Sequence, residues 1–256
     1  MTDYVSYEQP LNERMRTFLR IEQLMQRFEY CSSDESEWDT HCALVTLIEI
    51  FSLSTRGDLK SELMKELDRQ ISNLTRLQAE PDVDQTRLAE VIEQEQALIS
   101  RLHDMHGQLG QHLKDNDFLN SIRQRTSIPG GTCDFDLPAY HFWLTRPAAS
   151  RKAMLESWIE PFQQIQEAVG LILHHVRDGT EPTSQTAQRG FVQQSLEMGV
   201  PYQIIRVELP LDAPYYPEIS AGRHRFSIRF LRQHDLSVRA QQCEQDIEFR
   251  LAKCAL

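Results

Sequence analysis

The hydrophobic periodicity of this chain changes once, near Gly179, and that change narrows the folds open to it. Before it, apolar residues recur in steps of three and four. After it, they alternate with polar ones. The first spacing marks one face of a helix and the second one face of a strand. The chain is therefore predicted to be α+β, an antiparallel helical bundle domain plus a small antiparallel β-sheet domain.

The helical stripes are explicit. Leu11, Met15, Phe18, Ile21, Met25 and Phe28 line one face of a first helix that starts at Asn12 or the Pro10 region, and CSSDESEWD follows as a break. Trp38, Leu44, Val45, Ile48 and Phe51 carry a second helix to Gly57. Asp58 is placed to cap a third over Leu59, Leu63, Leu67, Ile71 and Leu74, which Pro81 ends. A fourth stripe, Leu88, Ile92, Ile99 and Leu102, reaches Gly107, and a fifth segment around Phe118, Leu119 and Ile122 stops at Pro129-Gly130-Gly131. Beyond that turn TCDFDLPAYHFWL is ambiguous: residues 132–135 are compatible with an extended run, with Asp136 capping a short helix over Pro138. Helical spacing resumes after Pro147 and runs to Val176. The alternating runs are Ile205, Val207, Leu209; Phe226, Ile228, Phe230; and Ile247, Phe249, Leu251. These patterns assign residues 1–127 with 147–179 to the helical domain and 128–146 with 180–256 to the β-strand domain.

Charge is distributed unevenly. The net formal charge is -11. Residues 1–126 hold 14 Lys and Arg against 23 Asp and Glu, yet residues 223–232 read RHRFSIRFLR, four arginines and a histidine without an acid. On a strand, Arg223, Arg225 and Arg229 share a face, with Phe226, Ile228 and Phe230 behind them. The ordinary fate of such a face is cross-strand pairing, here with Glu208 or Glu248. Three arginines exceed what two acids balance, which favours a binding role for the remainder. An acidic chain is a poor nonspecific nucleic-acid binder, because that affinity comes from neutralising many phosphates. An acidic peptide suits a local patch.

Signals for catalysis are weak. His103, His106 and His112 lack the carboxylate spacing of a zinc site, and His174 and His175 point to different faces of a helix. No G-x-S-x-G, P-loop or G-x-G-x-x-G motif is present, so no cofactor or metal is expected. The rival functions are a hydrolase using His141 with Asp134 or Asp136, and a nucleic-acid adaptor using the arginine face. Cys31, Cys42, Cys133, Cys243 and Cys254 contain no C-x-x-C pair and are expected to be five reduced thiols. No apolar run approaches the ~20 residues of a membrane span, and MTDYVSYEQP has no secretory character, so a cytoplasmic protein is expected.

Four stretches, PLNERMRTFLRIE (10–22), SELMKELDRQ (61–70), RQRTSIPGGTCDFDLPAYHFWL (123–144) and RFSIRF (225–230), resemble the ZapD family of bacterial cell-division proteins. The resemblance implies a cytoplasmic, non-enzymatic homodimer that binds the C-terminal tail of the tubulin-like protein FtsZ and bundles its filaments at the midcell division ring. It further implies a basic tail-binding surface built from Arg16, Arg56, His141, Arg225 and Arg229. Charge alone adds Arg223, Arg14 and Arg125 as supporting positions.

Overall fold

The computed structural model describes residues 3–255 except 56, 79–82, 106 and 108. The chain forms two compact units, Thr17–Ile172 and Met1–Arg16 with Leu173–Leu256.

The first unit is helical. Helix α1, Glu13–Ser33, begins where the Asn12 side-chain oxygen accepts the Met15 N–H at 2.9 Å. It buries Phe18, Ile21, Met25 and Phe28 along one stripe, as the spacing predicts. Ser36 caps α2, Glu37–Ser54, by accepting from Asp39 N. Trp38, placed on the buried stripe by its spacing, is instead 83% exposed on the first turn. Asp58 accepts from Ser61 N to start α3, Leu59–Leu77, and Asp84 accepts from Thr86 N and Arg87 N to start α4, Gln85–Asp104. Leu63 and Leu67 of α3 and Leu98 and Leu102 of α4 are buried. Pro81, the expected stop of α3, lies outside the described residues. A short α5, Gln111–Lys114, precedes α6, Asp117–Arg125, where Asn116 accepts from Leu119 N. Then come α7, Pro138–Leu144, α8, Ala148–Ile159, a 3-10 turn at Glu160–Phe162, and α9, Gln163–Asp178.

Further expectations change in this unit. Residues 128–146 belong to the helical unit and contain no strand. Gly130 turns at φ +71°, and Gly131 lies so close to α6 that a Cβ there would stand 2.5 Å from the Arg125 carbonyl. The chain therefore folds back on α6 instead of extending away. Leu137, not Asp136, occupies the cap position of α7, and the Asp136 carboxylate faces Arg125 at 3.4 Å. The five thiols are also revised: Cys31 at the end of α1 and Cys42 on α2 form a disulfide across the α1–α2 hairpin. Cys133 is free and exposed, while Cys243 and Cys254 are free and buried.

The second unit holds two antiparallel sheets. In one the order is β1–β4–β8–β2, with β1 Tyr4–Pro10, β2 Thr183–Ala187, β4 Tyr202–Pro210 and β8 Ile247–Ala255. In the other, β6, Arg225–Arg232, lies between β3, Phe191–Ser195, and β5, Tyr216–Ala221, and β7, Gln241–Gln242, also pairs with β6. The three alternating runs are the interior strands β4, β6 and β8. The first ten residues, assigned by their surroundings to the helical domain, supply β1 to this unit. β1 pairs with β4 from Tyr4 opposite Pro210 to Pro10 opposite Ile204. That partner lies about two hundred positions away, beyond the reach of local pattern. The inward residues of both sheets, among them Ile205, Val207, Phe226, Ile228, Phe230 and Phe249, form one core, where the Phe230 and Phe249 rings lie 5.0 Å apart. Burying each such side chain contributes roughly 1.5–3 kcal/mol, which fixes the parity of β6 and hence what it turns outward.

Candidate peptide-binding surface

Strand β6 sorts the basic run into two faces. Phe226, Ile228 and Phe230 are buried to 1% or less, so Arg225, Ser227 and Arg229 must face out, and both arginines are exposed. Arg223 and His224 lie just before the strand in the β5–β6 turn, which is closed by Gly222 N donating to the Arg225 carbonyl at 3.0 Å. The His224 carbonyl accepts from Leu196 N at 2.8 Å, tying the turn to the chain after β3. An open groove of about 670 Å³ runs over this corner, lined by Gln193, Ser220, Gly222, Arg223, His224 and Arg225 among others. Arg232, the fourth arginine, has the opposite parity, and its Nε is buried without a hydrogen-bond partner.

Pairing decides whether this charge is available. Among the described residues, no ion pair joins Arg223, Arg225 or Arg229 to a carboxylate. The two acids that might have neutralised them are elsewhere. Glu208 takes Arg206 at 2.8 Å and Arg250 at 3.1 Å in the other sheet, and Glu248 sits opposite Thr186. Glu218 stands opposite Arg229 in register without forming an ion pair. A guanidinium left in this state on a rigid strand is a ready fork for a foreign carboxylate.

Neighbouring strands complete the surface. Phe191 of β3, 37% exposed, sits opposite Arg229, and Gln193 and Ser195 sit opposite Ser227 and Arg225. These positions were not singled out from the sequence. The one local cue to them is the Arg189-Gly190 dipeptide, whose glycine suits a two-residue turn; FVQQS itself has no apolar–polar alternation that marks a strand.

The other described basic positions lie on other elements. Arg14 and Arg16 lie on the first turn of α1, where Arg16 faces Glu13 at 3.6 Å with its side chain 41% exposed. Arg56 lies outside the described residues. In the helical unit, Arg125 is engaged by Asp136, and His141 is exposed on α7. Asp136, one of the two carboxylates of the hydrolase reading, is thus already engaged. Among the described residues, no three of His, Cys, Asp and Glu gather as a metal site, and no helix is long and apolar enough to cross a membrane.

A profile of the ZapD cell division proteins matches residues 19–229, most of the chain and all of β6 up to Arg229. The chain belongs to the ZapD family. It is 41% identical over 256 residues to the cell division protein ZapD of Methylococcus capsulatus, covering the whole of both chains. It is 41% identical over 251 residues to that of Ralstonia pickettii, covering 98% of this chain and 99% of the other. With the Dechloromonas aromatica relative it shares 36% over 252 residues, 98% of this chain and 100% of the other. The role of a ZapD-family chain is in cell division, and the arginine surface has to be understood in that setting.

Proposed function

We propose that this ZapD-family protein is a non-enzymatic cross-linker of FtsZ filaments. In this reading it acts as a cytoplasmic homodimer at the midcell division ring, needs no cofactor, and grips the C-terminal tail of FtsZ with its basic surface. The observation that carries the proposal is the outward, unpaired state of Arg225 and Arg229 on a strand anchored by three buried side chains. Arg223 in the adjoining turn extends that grip, and Arg16, Arg56 and His141 join it through the family resemblance.

The physical logic favours capture by many weak contacts. A flexible tail loses conformational freedom on binding, so one tail held by a few forks binds modestly. Charge-assisted hydrogen bonds between guanidinium and carboxylate supply direction and fast encounter. Two copies of the surface in a dimer, facing a filament that repeats its tail at every subunit, raise the effective strength by about 10²–10⁴ without any new contact. Bundling follows from that avidity.

Arg225→Glu and Arg229→Glu test the proposal separately. Each is expected to leave folding intact, since both side chains are exposed and unpaired, and to abolish bundling in co-sedimentation with FtsZ filaments. Wild-type binding is expected to weaken steeply with salt, because exposed pairs are screened beyond ~8 Å at physiological ionic strength. Undiminished pelleting by both variants would remove this surface from the mechanism.

A further inference from the structure

Helix α7 is held as a fixed platform. Its inward residues Tyr140 and Trp143 are buried in an aromatic cluster, with the Trp143 ring 5.7 Å from Phe118 and 5.8 Å from Trp158. The Tyr140 hydroxyl is hydrogen-bonded to His41 Nδ1 at 2.8 Å, and Trp143 Nε1 donates to Met154 Sδ at 3.0 Å. At its C-terminal end, buried Arg151 donates to the carbonyls of Leu144, at 2.9 Å, and Arg146. A seven-residue helix pinned on one side and at its end has little freedom left to lose.

Its outward side has a different character. Phe142 is 60% exposed, and the Arg146 guanidinium carbon lies 3.9 Å from the centre of its ring. Arg146 Nε also donates to the Phe142 carbonyl at 3.4 Å, and no ion pair engages Arg146 among the described residues. His141 is exposed beside them. In a chain of net charge -11, residues 137–155 contain Arg146, Arg151 and Lys152 and no Asp or Glu. Since Arg151 is turned inward, the charge this segment presents is that of Arg146 and Lys152.

We infer that the outward side of α7, Phe142 with Arg146 stacked on it beside His141, is a docking point for an acidic peptide that also carries an apolar side chain. Charge complementarity selects the occupant. The guanidinium fork takes a carboxylate, and the ring on which it lies takes an apolar group, so both are met by one short peptide and not by a bare anion. Stacking on Phe142 orders the arginine before the peptide arrives, which spares it part of the entropy a free side chain would lose. The inference rests on the peptide-binding reading above and adds Phe142 and Arg146 to the residues that serve it.

The test titrates a fluorescently labelled FtsZ C-terminal tail peptide with the full-length protein at two salt concentrations. Phe142→Ala is expected to weaken binding about tenfold, as loss of one buried aromatic contact does, with the salt dependence unchanged. Arg146→Gln is expected to weaken it several-fold and to flatten the salt dependence. Phe142→Tyr, which keeps the ring, is expected to bind within about twofold of wild type, while all three keep the wild-type unfolding midpoint. If Phe142→Ala and Arg146→Gln bind like wild type while Arg225→Glu does not, the α7 docking point is overturned and the β6 surface stands. A wild-type protein that ignores the peptide overturns both.

Discussion

Arg151 shows how little a residue's type says about its role. It is 5% exposed, and among the described residues it pairs with no carboxylate. Its guanidinium instead donates to Thr40 Oγ1 at 3.1 Å, to the Leu144 carbonyl, to the Arg146 carbonyl and to the Glu35 carbonyl at 2.6 Å. A buried charge survives there because oriented carbonyls replace its water. From the sequence, nothing in the immediate neighbours, Ser150 and Lys152 for Arg151 and His224 and Phe226 for Arg225, foretells that one is a structural tie and the other faces out. Arg151→Met is expected to destabilise the helical unit by about 3 kcal/mol, since it strands several acceptors at once. Arg151→Lys, with the charge but not the planar fork, is expected to recover only part of that loss. Urea unfolding checks both, and a wild-type midpoint for Arg151→Met would mean that the stranded carbonyls simply rehydrate.

At the scale of elements, interior and edge strands differ in how plainly they are written. β4, β6 and β8 bury alternate residues between two sheets, and their alternation is visible in the sequence. β2 and β3 are polar edge pieces, joined by a two-residue turn in which Arg189 and Gly190 have φ of 49° and 68° and Gln188 bridges Phe191. Turns with both central residues at positive φ suit a hairpin and favour glycine at the second. Gly190 is constrained further, because a Cβ there would lie 2.5 Å from the Cys243 carbonyl, a backbone atom that cannot step aside. Gly190→Ala is therefore expected to cost about 2–3 kcal/mol, combining the left-handed strain with that collision. Gly222→Ala, in the β5–β6 turn with nothing within 4 Å of the added carbon, is expected to stay within about 0.5 kcal/mol of wild type. Equal losses for the two in chemical unfolding would contradict this account. The helices were more legible still: Asn12 and Asp58, read as the starts of α1 and α3, do accept the first free N–H groups there, while Ser36 and Asn116 do the same for α2 and α6 without having been singled out. In residues 128–146 the turn at Pro129-Gly130-Gly131 and the short helix over Pro138 were legible, but the unit they join was not: Gly131 pressing on the Arg125 carbonyl is a contact, and pattern does not report contacts.

For the molecule as a whole, the proposed cross-linking requires more than one tail-binding surface per particle. A chain of 29.8 kDa is expected to sediment at about twice that mass at working concentration, and a single-chain mass would leave bundling without a cause. Net charge belongs to this scale as well: an acidic body carrying a local cationic face is repelled by polyanions in general and attracted to short acidic segments. By itself, the sequence determined the two structural classes, the helix starts at Asn12 and Asp58, and which side of β6 carries arginine, since each follows from residues a few positions apart. Only the tertiary structure decided which charges are answered. Glu208 is satisfied by Arg206 and Arg250, Asp136 by Arg125, and Arg151 by carbonyls, while Arg225 and Arg229 meet no carboxylate among the described residues. An ion pair acts over a few ångströms, and which groups come that close is set by strand register and helix packing between residues far apart in the chain.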